Sequence, residues 1–132
     1  QPLTLEETWQ LDSGEAFETY VAAALRHAGF EIRMTKKSWD YGCDLVAKKG
    51  DRVILCQIKQ VRSDKALGSG VNEILNAKGR YKSQVPSDLA LITNARTVTK
   101  SQKSLASEHS IKIILGNSVQ DYGTALIASL MH

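Results

Sequence analysis

Gly42-Cys43-Asp44-Leu45-Val46, followed across Lys49-Gly50-Asp51-Arg52 by Val53-Ile54-Leu55-Cys56-Gln57-Ile58-Lys59, is the stretch that decides the fold. Two runs apolar on both faces suit the buried middle of a sheet, and the turn chemistry between them joins them as an antiparallel hairpin. A four-residue loop sets Asp44 opposite Gln57, and directly opposed residues share a face. Gln57 and Lys59 are two apart, so they project to one side while Ile58 projects to the other. Asp44, Gln57 and Lys59 therefore converge in a small polar pocket at the ends of apolar strands, where a charge is costly unless paired or bound to a metal. The conclusion rests on register, since a slip of one residue would send Asp44 to the opposite face.

Working outward, Phe17, Tyr20, Val21, Ala24, Leu25 and Ala28 recur at helical spacing between Ser13 and Gly29, with Asp12 or Ser13 as cap and Gly29 as terminator. Glu18 falls within about 20° of Leu25 on the helical wheel, at the edge of the buried stripe, where its carboxylate can look into the sheet. Phe30 to Met34 reads as a strand, Lys36 to Tyr41 as a loop, and the hairpin adds two more strands. Gly68-Ser69-Gly70 precedes a second helix carrying Val71, Ile74, Leu75, Lys78 and Tyr81, which Pro86 cannot continue. Asp88 to Thr93 is a fourth strand. Thr99 with Gln102 resembles a capping box for a helix through Glu108, Ile111 to Leu115 is a fifth strand, and Val119 to Met131 ends in a short helix. Helix, three strands, helix, strand and a helix–strand extension make an α/β fold, a mixed central sheet flanked by helices with the second helix as crossover. Sheets of this type carry sites at strand ends, where Gln57 and Lys59 lie.

The 132 residues, 42% hydrophobic and 23% charged, fit one globular domain with a real core. The apolar runs are too short to span a bilayer. The start at Gln1, with neither initiator Met nor signal peptide, suggests a domain excised from a longer protein. Cys43 and Cys56 fall in the core strands and read as free thiols of a cytoplasmic protein. Without a CxxC pair, and with His27, His109 and His132 scattered, a zinc site is disfavoured. The net charge of +3 permits an anionic partner without demanding one.

Taken together, Gly14-Glu15-Ala16-Phe17-Glu18, Asp40-Tyr41-Gly42-Cys43-Asp44-Leu45, Cys56-Gln57-Ile58-Lys59 and Leu91-Ile92-Thr93-Asn94 resemble the PD-(D/E)xK nuclease superfamily, and within it the Mrr-like restriction endonuclease catalytic domain. The resemblance covers roughly residues 13–122. It implies a restriction-endonuclease-like αβββαβ core and a metal-dependent endodeoxyribonuclease that hydrolyses DNA phosphodiester bonds with Mg²⁺, for which Mn²⁺ can substitute. Asp44, Gln57, Lys59 and Glu18 would be the catalytic residues, with the Asp44 carboxylate, the Gln57 side-chain oxygen and the Ile58 carbonyl holding the ion, oxygen donors that suit a hard cation. Lys59 would position or deprotonate the attacking water and help hold the phosphate; Glu18 would act through a water or a second ion. Gln57 departs from the acidic residue most of the superfamily carries, which removes a negative charge that Glu18 or Asp40 would have to replace.

Other readings stand beside this one. The same elements fit a structure-selective nuclease of Holliday-junction-resolvase type, or a non-catalytic DNA-binding module with a degenerate site. Lys36, Lys37, Lys65 and Ser69 are candidates for backbone phosphate contacts, which carry no sequence information. The readings open for Trp39 are stacking on a base and internal packing, and for Asp40 a stabilising role in its loop beside the compensating one. Glu73, one residue before Ile74 on the second helix, reads as solvated. Cutting both strands calls for two sites, so a homodimer is expected.

Overall fold

The computed structural model describes residues 2–34, 43–81, 85–116 and 122–131. The elements follow in the order α1 (Leu5–Trp9), α2 (Gly14–His27), β1 (Glu31–Met34), β2 (Leu45–Lys49), β3 (Arg52–Lys59), α3 (Val71–Arg80), β4 (Asp88–Thr93), α4 (Lys100–Glu108), β5 (Lys112–Ile114) and α5 (Tyr122–Met131). Among the described residues the five strands form one sheet in sequence order, antiparallel from β1 to β3 and parallel from β3 to β5. The mixed α/β architecture is the expected one, with α3 crossing over between β3 and β4.

Period-2 alternation divides the sheet into two faces. Leu45, Ala47, Ile54, Cys56, Ile58 and Ile92 pack with Leu5 of α1, Phe17, Val21 and Leu25 of α2, and Tyr122, Leu126 and Leu130 of α5. Val46, Val53, Leu55, Leu89 and Leu91 pack instead with Val71, Ile74 and Ala77 of α3 and Ala106 of α4. Both faces are covered, so the central strands carry apolar residues at nearly every position. Among the described residues no helix is long and apolar enough to cross a membrane.

Local chemistry explains most boundaries. The Ser13 side chain accepts the Ala16 amide, so Ser13 rather than Asp12 caps α2. Gly29 ends the helix at φ +96, a conformation that glycine adopts freely, and lets the Phe30 amide reach back to the Leu25 carbonyl at 3.0 Å. The hairpin is tighter than expected, since Lys49 pairs with Arg52 and the turn is Gly50-Asp51, yet the register of the remaining pairs is unchanged.

Two further points differ from expectation. Residues 5–9 form a helix, α1, whose Thr4 side chain accepts the Glu7 amide while the Glu7 carboxylate accepts the Thr4 amide, a complete capping box. The box expected at Thr99 and Gln102 is absent: Thr99 caps α4 by backbone alone, and Gln102 Oε1 accepts the Val71 amide of α3 at 3.0 Å. Gln102 is buried, and the first turn of α3 offers it an unpaired donor that its own helix start does not.

Candidate active site

The strand carrying Val53 and Leu55 toward α3 continues with Gln57 and Lys59 on the same face. Asp44 is the residue immediately before β2 rather than a ladder pair of Gln57. Its amide donates to the Cys56 carbonyl at 3.0 Å, and its carboxylate Oδ2 accepts the Ile58 amide at 2.8 Å. A side-chain oxygen thus takes the place of a ladder carbonyl where β2 begins, which locks the carboxylate against β3. The amide and carbonyl of one strand residue point to the same side, so the Ile58 carbonyl also faces the Asp44 edge.

These groups meet in a cavity of about 260 Å³ lined by Glu18, Cys43, Asp44, Gln57, Ile58, Lys59 and Glu73. Glu18 arrives from α2 on one side of the sheet and Glu73 from α3 on the other, so the cavity sits where the two layers open around the strand ends. All four side chains expected at the site, Glu18, Asp44, Gln57 and Lys59, are brought together. A larger cavity, about 780 Å³, lies between α2 and α5; Tyr20, Ala24 and Ile127 are among its lining, which contains no carboxylate and no lysine, so it offers no comparable chemistry.

Glu18, Asp44 and Gln57 are each more than nine-tenths buried. Gln57 Oε1 is buried with no hydrogen-bond partner among the described residues, and a buried carbonyl oxygen left unpaired costs stability unless something fills its coordination. Among the described residues no three His, Cys, Asp or Glu side chains stand close enough to hold an ion by themselves. The donors expected to hold an ion, the Asp44 carboxylate, the Gln57 amide oxygen and the Ile58 main-chain carbonyl, all line the cavity, with the Glu18 carboxylate beside them. That set fits Mg²⁺, which binds through few protein oxygens and keeps several waters.

Glu73 corrects the sequence reading. It is not simply solvated: its Oε2 lies 2.5 Å from Lys59 Nζ, an ion pair at the mouth of the cavity. The helical pattern placed Glu73 one residue before Ile74, off the apolar stripe, and nothing in the pattern identified its partner on β3. Cys43 is buried against the site, its Sγ 3.6 Å from the Leu45 carbonyl. Burial, and then the Asp44 charge, push its thiol up to about 11, so it is a protonated packing group at neutral pH. Lys65 and Ser69 are exposed on the segment between β3 and α3 and do not line the cavity. Lys36, Lys37, Trp39 and Asp40 lie outside the described residues.

The fold is similar to that of AF1548, a protein of unknown function, with a TM-score of 0.62 at 17% identity, over 85% of this chain and 64% of that one. It is also similar to the MspJI restriction endonuclease, solved in complex with a 27-mer oligonucleotide, with a TM-score of 0.54 at 17% identity, over 96% of this chain and 30% of that one. The chain thus spans less than two thirds of either protein. No curated protein matches it. The Mrr_cat family model, described as a restriction endonuclease, matches residues 11–122, most of the length and every element from α2 to β5, and the chain belongs to that family.

Proposed function

We propose that the chain is the catalytic domain of a metal-dependent DNA endonuclease of Mrr-like restriction type, its core about residues 13–122. The observation that carries this reading is the meeting of Asp44, Gln57 and Lys59 in one cavity, with the Gln57 carbonyl oxygen buried and unpaired among the described residues. Asp44, Gln57 Oε1 and the Ile58 carbonyl would hold Mg²⁺ or Mn²⁺. The bound ion would supply Lewis acidity at the phosphate and neutralise charge as it builds.

The chain's own groups do the rest. The Ile58 amide fixes the Asp44 carboxylate, so its orientation is set before any ligand arrives. Lys59 presents an ammonium that donates to a non-bridging phosphate oxygen and favours the pentacoordinate state. A water positioned by Lys59 and Glu18 would attack phosphorus in line; as its oxygen bonds to phosphorus one bridging P–O bond breaks, the water gives up a proton to solvent, and the departing oxygen takes one up from solvent. Exposed Lys65 and Ser69, with Lys36 and Lys37, would contact backbone phosphates without reading sequence. Two such domains, paired as a homodimer in the cytoplasm, would cut both strands.

The test is supercoiled plasmid with Mg²⁺, comparing wild type, Asp44→Ala and Lys59→Ala by nicked and linear products. Wild type is expected to cut, and each variant to lose cutting by about 100-fold or more, the scale on which a missing electrostatic stabiliser lowers turnover. A Lys59→Ala protein that cuts at the wild-type rate sinks the assignment. DNA binding with no metal-dependent nicking by the wild type would replace it with a binding module.

A further inference from the structure

Glu73 is the member of the cavity that neither the motif nor the helical pattern accounts for. It stands in the first turn of α3, between buried Val71 and Ile74. Two features press that turn onto the strand ends. The Val71 amide is held by Gln102 Oε1 at 3.0 Å. Gly70, at φ +113, approaches Leu91 so closely that a Cβ there would lie 2.6 Å from Leu91 Cδ1. The placement of Glu73 beside Lys59 therefore follows from how α3 is seated and is not a chance meeting of two long side chains.

Lys59 is the last residue of β3, and four rotatable bonds separate its ammonium from the strand. The other anionic side chains lining the cavity are Asp44 and Glu18. An untethered ammonium would be drawn inward to them, onto the carboxylate that a divalent cation needs. We propose that Glu73 is a positioning residue that holds the Lys59 ammonium at the cavity mouth and off Asp44, so that the lysine and the cation occupy the site together. The inference deepens the nuclease reading, resting on it for the roles of Lys59 and Asp44.

Two measurements test it on DNA-free protein and a third on cleavage. In the side-chain ¹⁵N NMR spectrum the Lys59 ammonium, assigned by its loss in Lys59→Arg, is expected as a slowly exchanging signal. That signal should move in Glu73→Ala and persist in Glu73→Asp. Titrated with Mn²⁺ alone, Glu73→Ala should bind about tenfold more weakly, the lower end of what loss of an outer partner costs a metal site. The double variant Glu73→Ala/Lys59→Ala should recover the lost affinity, because no ammonium is left to compete. In plasmid nicking, Glu73→Ala should lower kcat with little change in KM for DNA.

An unchanged Lys59 signal in a folded Glu73→Ala protein overturns the proposal, and so does a double variant that binds Mn²⁺ no better than Glu73→Ala. The two readings fail separately. A wild type that cuts plasmid beside a Glu73→Ala protein unaltered in signal, Mn²⁺ affinity and kcat removes the tether and leaves the nuclease. A wild type that never cuts, with the Lys59 signal still dependent on Glu73, removes the nuclease and leaves the tether.

Discussion

Replacing Asn94 by alanine should cost this domain a large part of its stability, and the cost can be worked from the hydrogen bonds. Asn94 follows β4 and is fully buried. Its Oδ1 accepts the Val61 amide at 2.7 Å, and its Nδ2 donates to the Val61 carbonyl and to Thr8 Oγ1, both at 3.0 Å. Val61 is itself 3% exposed, so truncation strands a buried amide and a buried carbonyl. Each such group costs about 1–3 kcal/mol, giving about 2–6 kcal/mol together. Thr8 adds little, because its hydroxyl still donates to the Leu5 carbonyl at 2.6 Å. The bond from Trp9 Nε1 goes to the Asn94 main-chain carbonyl and survives the substitution. Against a total of about 5–15 kcal/mol for a domain, this loss is severe. Urea unfolding should show the midpoint falling by roughly 1 M or more at unchanged slope, for a slope of about 1–3 kcal/mol/M. Asn94→Asp should not rescue it, since a carboxylate accepts the Val61 amide but cannot donate to the carbonyl. A Asn94→Ala protein destabilised by less than about 1 kcal/mol would refute this account, in which one amide pins the chain two residues beyond Lys59.

Gln102→Ala should destabilise by about 1 kcal/mol by freeing the first amide of α3, whereas Thr99→Ala should cost less because Thr99 makes no side-chain cap bond. Equal losses in thermal unfolding would argue against this division of labour. Burial, the leading cause, raises the Cys43 thiol from 9.0 to about 11 and the Cys56 thiol higher still. The folded values lie above the unfolded one, so the stability linked to them is complete below pH 9.0 and is lost as pH climbs toward about 11. Urea unfolding across that window should steepen this loss in wild type relative to Cys56→Ala; identical pH slopes would contradict it. Gln57→Glu should lower the Tm in chelator by adding a buried charge near Asp44 and raise it more than wild type on adding Mg²⁺, because the added charge strengthens ion binding. A variant whose Tm responds to Mg²⁺ no more than wild type would exclude Gln57 as a ligand.

The fold and the convergence of Asp44, Gln57 and Lys59 at the candidate site were legible because their signals are local. The apolar run of β3, the period of α2 and the Asp88–Thr93 run are set by near neighbours in the chain, and each appears at or within two residues of its expected bounds. The turn between Lys49 and Arg52 fixed the hairpin register, which carried Asp44 to the Gln57 side. Helix α1 was also within reach, since Thr4 and Glu7 have the spacing of a capping box. Glu73 was not: its helical pattern reads as solvated, and its partner is a strand residue fourteen positions earlier.

By itself, then, the sequence determined which segments are helix or strand, which faces are apolar, and which polar residues interrupt the central strands. Only the tertiary structure decided what those polar groups meet. Gln102 leaves its own helix start to cap α3, Asn94 holds Val61 and Thr8, Asp44 bonds the Ile58 amide, and Glu73 reaches Lys59. Periodicity and turn chemistry act through bonds between near neighbours. Partnership among buried polar groups is settled by which unsatisfied donor or acceptor the packing of distant segments brings within about 3 Å.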